Sequence, residues 1–221
     1  MYLDFMSTLH KSTQRDYLAR VNDVEYPKHK AASLAKQYGF DYWDGDRRIN
    51  YGGYRYIPGR WTPLATSLIR HYNLTNSSAI LDVGCGKGFL MYELQVLLPN
   101  ASIKGLDISA YAIDNAKPEI KDNITCASCT SLPYRDSEFD LVVSLNTLHN
   151  LYNYDLHASL KEIQRVSRSN SYICVESYRD EVEKANLLYW QVTCESFYTP
   201  EEWNWVFDQA GYDGDYSFIY F

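Results

Sequence analysis

The sequence predicts an α/β fold in which helices cover both faces of a mostly parallel sheet. Short apolar runs, such as residues 79–83 and 139–145, alternate with segments whose apolar residues repeat at helical spacing. The run at 139–145 is apolar on both faces, as a central strand of a parallel sheet is. The chain has 221 residues, of which 46% are hydrophobic, so it can bury the core that such a sheet needs.

Residues 1–60 differ in composition from the rest of the chain. Two short helices are predicted at 12–21 and 27–38, because Pro27 suits a first helical position and Gly39 a helix end. Residues 40–61 are rich in glycine, aromatic and charged residues without a sustained period, which predicts a loop. We interpret 1–60 as a lid over the ligand site of a core at 61–221; an extension that only packs on the sheet is the alternative. The lid residues expected to contact a substrate are Tyr42, Trp43, Asp46, Arg47, Tyr51, Tyr54 and Trp61.

The core begins with a predicted helix at 62–72, for which Thr62 is the expected cap and Pro63 suits the first turn. A strand at 79–83, a glycine-rich loop and a helix at 88–98 follow. Glycine permits positive φ and lets a ligand lie on the backbone, while the helix start directs free N–H groups at the same place. The loop is therefore predicted to bind a nucleotide-like ligand.

The spacing of the glycines narrows the choice of ligand. A dinucleotide loop needs Gly or Ala where Phe89 stands, and a phosphate loop needs a hydroxyl residue after Lys87, where Gly88 stands. The remaining pattern, D-x-G-x-G-x-G from Asp82 to Gly88, resembles the first motif of the class I S-adenosyl-L-methionine (SAM) methyltransferases. That resemblance implies a Rossmann-like sheet. A tight strand-to-helix turn without a ligand is the alternative.

The next elements complete the expected cofactor site. A strand at 102–106 ends at Asp107, about 20 residues beyond the glycine loop, where a carboxylate can accept from both ribose hydroxyls. Ser109 is expected to cap a helix at 110–116, and a short strand is predicted at 124–126. In the resembled family an acid next contacts the adenine. Here Ser128 and Cys129 follow, so either the Ser128 oxygen or backbone groups alone would contact it.

Two strands bring polar residues to the carboxyl edge of the sheet, where ligands bind in open α/β folds. The strand at 139–145 ends before Asn146 and His149, and a strand at 172–176, after a helix at 156–166, ends in Glu176. His149 is the best-placed base for a hydroxyl acceptor because histidine titrates near neutral pH. An orienting role for His149 is equally open, and Glu176 is the second candidate.

The C-terminal part adds three elements. A helix at 180–193 lies outside the minimal fold and is a second candidate to cover the substrate. Thr199 and Glu202 form a capping box with Pro200 at the first position of a helix that ends at Gly211. The last strand is predicted at 216–221. The resembled family usually closes with two strands, which leaves the far edge of the sheet undefined.

The resemblance implies a SAM-dependent methyltransferase whose acceptor is a small molecule, most simply a hydroxyl of a sugar-like or other polar metabolite. Residues 41–61 look like those of bacterial methyltransferases from sugar and surface-polysaccharide pathways. A SAM-binding regulator without turnover and a nicotinamide oxidoreductase stay open as alternatives. The expected cofactor residues are Asp82, Gly84, Cys85, Gly86, Gly88, Asp107, Ile108, Ser128, Cys129 and Asn146, with Tyr56 or Arg60 at the cofactor carboxylate.

Composition argues against several other partners. The formal net charge of −7 is unlike that of a general nucleic-acid binder, and no apolar run approaches the ~20 residues that cross a membrane. Cys126 and Cys129 have no second cysteine pair, so no metal is expected. Because no secretion signal is apparent, we expect a cytoplasmic protein. The sequence leaves a monomer and a homodimer open.

Overall fold

The computed structural model describes residues 1–7, 9, 16–52 and 54–221 of the chain. Within these residues, six strands form one sheet in the order β3-β2-β1-β4-β5-β6, and every neighbouring pair is parallel. The predicted α/β fold with a mostly parallel sheet is confirmed. The strands are β1 (Ala79–Val83), β2 (Ser102–Asp107), β3 (Ile124–Cys126), β4 (Phe139–Leu145), β5 (Ser167–Glu176) and β6 (Asp215–Ile219).

Helices pack on both faces of this sheet. Alternate residues of β1 and β4 point to opposite faces, so Ile80 and Leu141 join a core cluster with the helices at 62–71 and 89–97, while Leu81 and Val142 join one with the helices at 153–166 and 200–210. None of the described helices is long and apolar enough to cross a membrane. The helices are α1 (Tyr17–Val21), α2 (Lys28–Ala35), α3 (Phe40–Trp43), α4 (Thr62–His71), α5 (Phe89–Leu97), α6 (Ala110–Asp114), α7 (Asn153–Val166), α8 (Glu181–Trp190) and α9 (Pro200–Ala210).

Local signals start several of these helices as predicted. The Ser109 hydroxyl accepts from the third backbone N–H beyond it and caps α6. Thr199 and Glu202 form the predicted capping box at α9, and Gly211 ends that helix in the left-handed conformation. These signals operate within four residues, so the sequence alone is sufficient to place them.

Other predicted boundaries are wrong. Trp61, not Thr62, occupies the cap position of α4, because the Thr62 hydroxyl is directed to Glu93 at 2.7 Å. Gly39 does not end a helix; it precedes the short helix α3, which lies inside the predicted loop. The strand β5 begins at Ser167, five residues before the predicted start at Tyr172. His10, residues 12–15 of the first predicted helix and Gly53 lie outside the described residues.

The first residues of the chain lie on the sheet and not over the glycine loop. Tyr2 forms a parallel bridge with Tyr216, and the Leu3 N–H donates to the Tyr216 carbonyl at 2.8 Å. Met6 is buried in the core cluster on the α4 face. This segment therefore covers the outer edge of β6, the edge that the sequence left undefined, and the part that approaches the ligand site begins later in the chain.

Candidate functional site

The glycine loop between β1 and α5 takes a left-handed conformation at Gly84, Gly86 and Gly88. A Cβ on Gly84 would overlap the Thr147 side chain, which follows β4. A Cβ on Gly86 would lie 2.6 Å from Cη2 of Trp43 in the lid. Both glycines therefore combine an unusual backbone angle with a close neighbour, a combination that L-residues with a side chain do not tolerate.

Two carboxylates lie beneath this loop at the ends of β1 and β2. Asp107 accepts the Gly86 N–H at 2.7 Å and the Ser109 N–H at 2.8 Å. Asp82 is 4% exposed, and none of the described residues donates a hydrogen bond to it. Burial, and then repulsion from Asp107, raises the pKa of Asp82 to about 7. A buried carboxylate without a donor is costly, so this arrangement fits a cationic ligand group.

The expected adenine side is more open. Ile108 follows Asp107 in the chain and is 63% exposed. The Ser128 hydroxyl is exposed and lies 2.8 Å from the Thr130 hydroxyl. Cys129 packs towards α7, where its sulfur accepts from the Ser159 hydroxyl at 3.3 Å. Ile108 and the Ser128 hydroxyl therefore remain accessible at this end of the site, whereas the Cys129 thiol is directed into the core.

Asn146 carries strain at the tip of β4. Its φ is +56°, and its N–H donates to the Cys174 carbonyl at 2.9 Å. Its side-chain oxygen Oδ1 is buried and has no hydrogen-bond partner within the described ranges. A strained residue with an unsatisfied buried oxygen, at the carboxyl edge of the sheet, is typical of a ligand contact.

His149 and Glu176 meet at the same edge. His149 is 3% exposed, and its Nδ1 accepts the Glu176 N–H at 3.3 Å. Its Nε2 lies 3.6 Å from Oε2 of Glu176, an oxygen that also accepts from the Gln191 amide. Burial lowers the pKa of His149 to about 3. The imidazole is therefore neutral near pH 7, with its proton on Nε2 and directed at the carboxylate.

Trp43 and Asp44, in the predicted lid, contact the start of α6 and the glycine loop respectively. The Trp43 indole N–H points at the Ser109 hydroxyl at 2.9 Å and at the Tyr38 carbonyl at 3.1 Å. Lys87, inside the glycine motif, donates to both oxygens of Asp44 at 2.7 and 2.8 Å. Sequence reasoning did not name Lys87 as a site residue, although a lysine between two loop glycines was a usable signal.

An aromatic cluster continues the lid away from the loop. Tyr42 contacts Trp43 and Tyr54 with ring centroids 5.1 and 5.2 Å apart. The Tyr51 hydroxyl donates to Oε1 of Gln191 at 2.6 Å and accepts the Val192 N–H at 2.7 Å. Tyr51 therefore joins the lid to the segment after α8. Since Gln191 also contacts Glu176, one glutamine connects the lid to the His149–Glu176 pair, and no sequence motif had indicated it.

The side chains of the remaining predicted residues are directed to other partners or to solvent. Asp46 is exposed and pairs with Arg48 at 2.6 Å. The Tyr56 hydroxyl donates to Glu93 on α5 at 2.6 Å, and Trp61 packs against the core cluster on the α4 face. Arg60 and Arg47 are exposed. Cys85 lies partly buried against the same core cluster.

Comparison with known proteins gives a consistent set of relatives. Residues 74–211 match the sequence model of a family described as a methyltransferase domain. A malonyl-[acyl-carrier protein] O-methyltransferase of Legionella pneumophila is 33% identical over 95 residues, which are 41% of this chain and 33% of the relative. A demethylmenaquinone methyltransferase of Roseiflexus sp. is 29% identical over 103 residues, 45% of this chain and 42% of the relative. The chain thus matches less than half of the length of these two relatives.

Solved structures share the fold at low sequence identity. The [4+2]-cyclase SpnF superposes with a TM-score of 0.59 and 17% identity, over 81% of this chain and 72% of that one. The YcgJ protein from Bacillus subtilis superposes with a TM-score of 0.53 and 18% identity, over 66% of both chains. Because one neighbour is a cyclase, the fold by itself does not define the acceptor or the reaction geometry.

Proposed function

The chain belongs to the SAM-dependent methyltransferase family, with SAM as its methyl donor, and we propose that its acceptor is a hydroxyl of a small polar molecule bound between Glu176 and the lid. The observation that supports this proposal most is the buried Glu176 carboxylate, held beside His149 at the carboxyl edge of β5. The cofactor supplies an electrophilic methyl group. The protein's own task is then to orient the hydroxyl, remove its proton and exclude water.

In this proposal the cofactor lies on the glycine loop. Asp82 faces the cationic methionyl part, because a buried carboxylate without a donor attracts a positive group. Asp107 already accepts two backbone N–H groups, and each of its oxygens has a lone pair left for a ribose hydroxyl. The buried oxygen of Asn146 is available to a donor on the ligand.

Glu176, rather than His149, is the proposed base. The Nδ1 atom of His149 is occupied by the Glu176 N–H, and its Nε2 carries a proton directed at the carboxylate, so the imidazole has no free lone pair. His149 and Gln191 hold the Glu176 carboxylate in place, and the carboxylate accepts the proton of the acceptor hydroxyl. His149 is then a positioning residue, the orienting role that was open at the level of sequence.

A neutral nucleophile fits the charges at this edge. Asp82, Asp107 and Glu176 are the buried carboxylates there, and they would repel an acceptor whose reacting group is itself anionic. The malonyl-[acyl-carrier protein] acceptor named for the Legionella relative belongs to that protein, of which only a third is matched. Carboxylic acids enter the test as competing acceptors, and so does tRNA, which is named for a relative from Arabidopsis thaliana that is 28% identical over 130 residues.

The test is methyl transfer from labelled SAM by the full chain to sugars, phenols and quinols, carboxylic acids and tRNA. We expect label on a hydroxyl acceptor. Glu176→Gln should keep SAM binding and lose roughly 10²- to 10⁴-fold in kcat, the usual contribution of a positioned base. The matched control is Glu183→Gln on α8, whose carboxylate pairs with Arg179. Label confined to carboxylic acids or tRNA, or an unchanged kcat in Glu176→Gln, contradicts the proposal.

A further inference from the structure

Arg20 is a buried cation with an unused donor. It belongs to α1 and is 7% exposed. Its guanidinium lies 4.5 Å from the ring centroid of Trp190 and 5.4 Å from that of Tyr51. Its Nη2 donates to the Asn50 carbonyl at 2.8 Å, whereas Nη1 is buried and has no hydrogen-bond partner among the residues described. A buried guanidinium normally has its donors satisfied, so Nη1 requires an explanation.

Two more cations surround Arg20 without a carboxylate partner. Arg47 contacts Asn50 Oδ1 at 3.4 Å, and its guanidinium lies against Gly52, where a Cβ would displace it. Lys28 is half-buried on α2 and makes no ion pair or hydrogen bond with any described residue. The residues outside the described ranges include no aspartate or glutamate that could pair with these cations.

Several other cations in this part of the chain are paired with carboxylates. Lys36 pairs with Glu195, Lys87 with Asp44, and Arg48 with Glu25. Exposed lysines and arginines need no such partner, but a cluster of three neighbouring cations that is partly buried and has no carboxylate partner is an exception in a chain with a net charge of −7.

The exception is unfavourable in the free protein. Burial lowers the pKa of Arg20, and repulsion from Arg47 lowers it further. Burial, followed by repulsion from Arg20, also lowers the pKa of Lys28. Uncompensated buried charge is destabilising, and a bound anion would remove the penalty while satisfying Nη1. A planar guanidinium matches the oxygens of a phosphate or a carboxylate particularly well.

We propose that Arg20, Lys28 and Arg47 bind an anionic group of the acceptor, a phosphate or a carboxylate. This inference rests on the proposed function, because it extends the proposed acceptor site. Arg20 stacks on Tyr51, whose hydroxyl donates to Gln191, and the Gln191 amide donates to Glu176. The acceptor would thus place its reacting hydroxyl at Glu176 and its anionic group at Arg20. Tyr51 and Gln191 lie between these two positions.

The three cations also differ in exposure in a way that suits entry from solvent. Arg47 is exposed, Lys28 is half-buried and Arg20 is buried. An anion would first meet Arg47 at the surface and then move inward to Arg20, a gradient that guides a charged ligand.

The test is calorimetric titration of the full chain with inorganic pyrophosphate, inorganic phosphate and succinate, at constant ionic strength and without SAM. We expect at least one probe to bind. Lys28→Gln should weaken that binding by roughly 10-fold or more, the contribution of one charge-assisted contact, and Lys28→Arg should retain it. Preference for the phosphate probes or for succinate identifies the type of anionic group.

Lys30→Gln is the matched control, because Lys30 is exposed on the same helix and contacts only the Glu25 carbonyl and the Tyr26 ring. It should bind the probe as the native chain does. Lys28→Gln should have a melting temperature no lower than the native chain, since it removes a repelled charge.

No binding of any probe to the native chain, or equal binding to Lys28→Gln, overturns the inference. Because these titrations contain no SAM and follow no methyl transfer, their outcome is separate from that of the acceptor test. The proposed function fails on the labelled-methyl assay, and the anion site fails on the titration.

Discussion

The Asp44 carboxylate in the lid binds the Lys87 ammonium in the glycine loop through both of its oxygens, at 2.7 and 2.8 Å. The Tyr111 hydroxyl donates to the same carboxylate at 2.9 Å. Forty-three positions separate Asp44 from Lys87 in the chain, yet the pair joins the predicted lid to the glycine loop. If this segment acts as a lid, its opening breaks a partly buried ion pair.

Asp44→Asn should loosen the lid. Burial raises the pKa of Asp44, but hydrogen bonds from Lys87 and Tyr111 lower it more, so the carboxylate stays charged at neutral pH. We expect SAM to associate and dissociate faster in the variant, by about 10-fold, the effect of losing one charge-assisted hydrogen bond. Stopped-flow tryptophan fluorescence measures both rates. Asp114→Asn, which removes an exposed pair with Lys121, is the control and should leave both rates unchanged.

Gly86→Ala should disturb both the loop and the lid. The substitution adds left-handed strain of roughly 1–2 kcal/mol and places a Cβ 2.6 Å from the Trp43 ring. We expect lower stability, a displaced indole and loss of SAM binding in calorimetry. Gly59→Ala is the matched control, since Gly59 has a similar φ of +77° with open space around its Cβ position. Equal SAM affinity in the two variants would contradict the role given to Gly86.

Asp82 should make SAM binding depend on pH. Its pKa is raised to about 7 in the folded chain, whereas an unfolded aspartate has a pKa of about 3.9. Between these two pH values Asp82 is protonated in the folded chain and ionised in the unfolded chain. The free energy of unfolding of the ligand-free chain therefore falls as the pH rises through this range. The full penalty is on the order of 4 kcal/mol above about pH 7, and Asp82→Asn should remove it.

Binding of SAM should strengthen from about pH 6 to about pH 8, because Asp82 loses its proton and can then neutralise a cation. Calorimetry across this range checks the expectation, with Asp82→Asn as a control whose remaining pH dependence comes from other groups. Identical pH dependence in the native chain and in the variant would show that Asp82 does not face the cationic part of SAM.

Asn146→Gly separates backbone strain from ligand contact. Glycine accepts the φ of +56°, so the free energy of unfolding should change by less than about 1 kcal/mol. Loss of the amide should nevertheless weaken SAM binding or lower kcat. Asn73→Gly is a matched control at an exposed residue with a φ of +53°, and only its stability should respond. If the two variants bind SAM and turn over alike, Asn146 has no ligand to contact.

Ionisation of His149 should make no contribution to the pH dependence of kcat for methyl transfer. Burial lowers its pKa to about 3, so at saturating SAM kcat should show no histidine-like limb between about pH 5 and about pH 8. His149→Gln should lower kcat through poorer placement of Glu176 while keeping the same pH profile. A limb near pH 6.5 that disappears in His149→Gln would instead identify His149 as the base.

Stability in acid gives a second readout for His149. Its pKa lies below the unfolded value, so the stabilisation that the neutral buried ring provides is present above about pH 6.5 and is lost progressively as the pH falls towards about 3. The acid-induced unfolding transition of His149→Gln should therefore be less steep over that interval. Circular dichroism during an acid titration measures it.

Local sequence patterns were sufficient to predict the sheet, the glycine loop and the caps of α6 and α9. Each of these depends on residues within a few positions of one another: apolar runs for β1 and β4, positive φ at Gly86, and the Thr199–Glu202 capping box. Such signals act between residues close in sequence, so they depend little on how the rest of the chain packs. The carboxyl edge of a parallel sheet then gathers Asn146, His149 and Glu176 by topology alone.

Which residues of the predicted lid face the loop and which face solvent depends on tertiary packing. Trp43 and Asp44 reach the glycine loop while Asp46, two positions on, pairs with Arg48 at the surface. It also decided that His149 is buried and neutral, and that Arg20 is left without a partner for Nη1. These properties arise from desolvation and from contacts between residues far apart in the chain. Both depend on how the lid packs against the sheet, which local patterns do not encode.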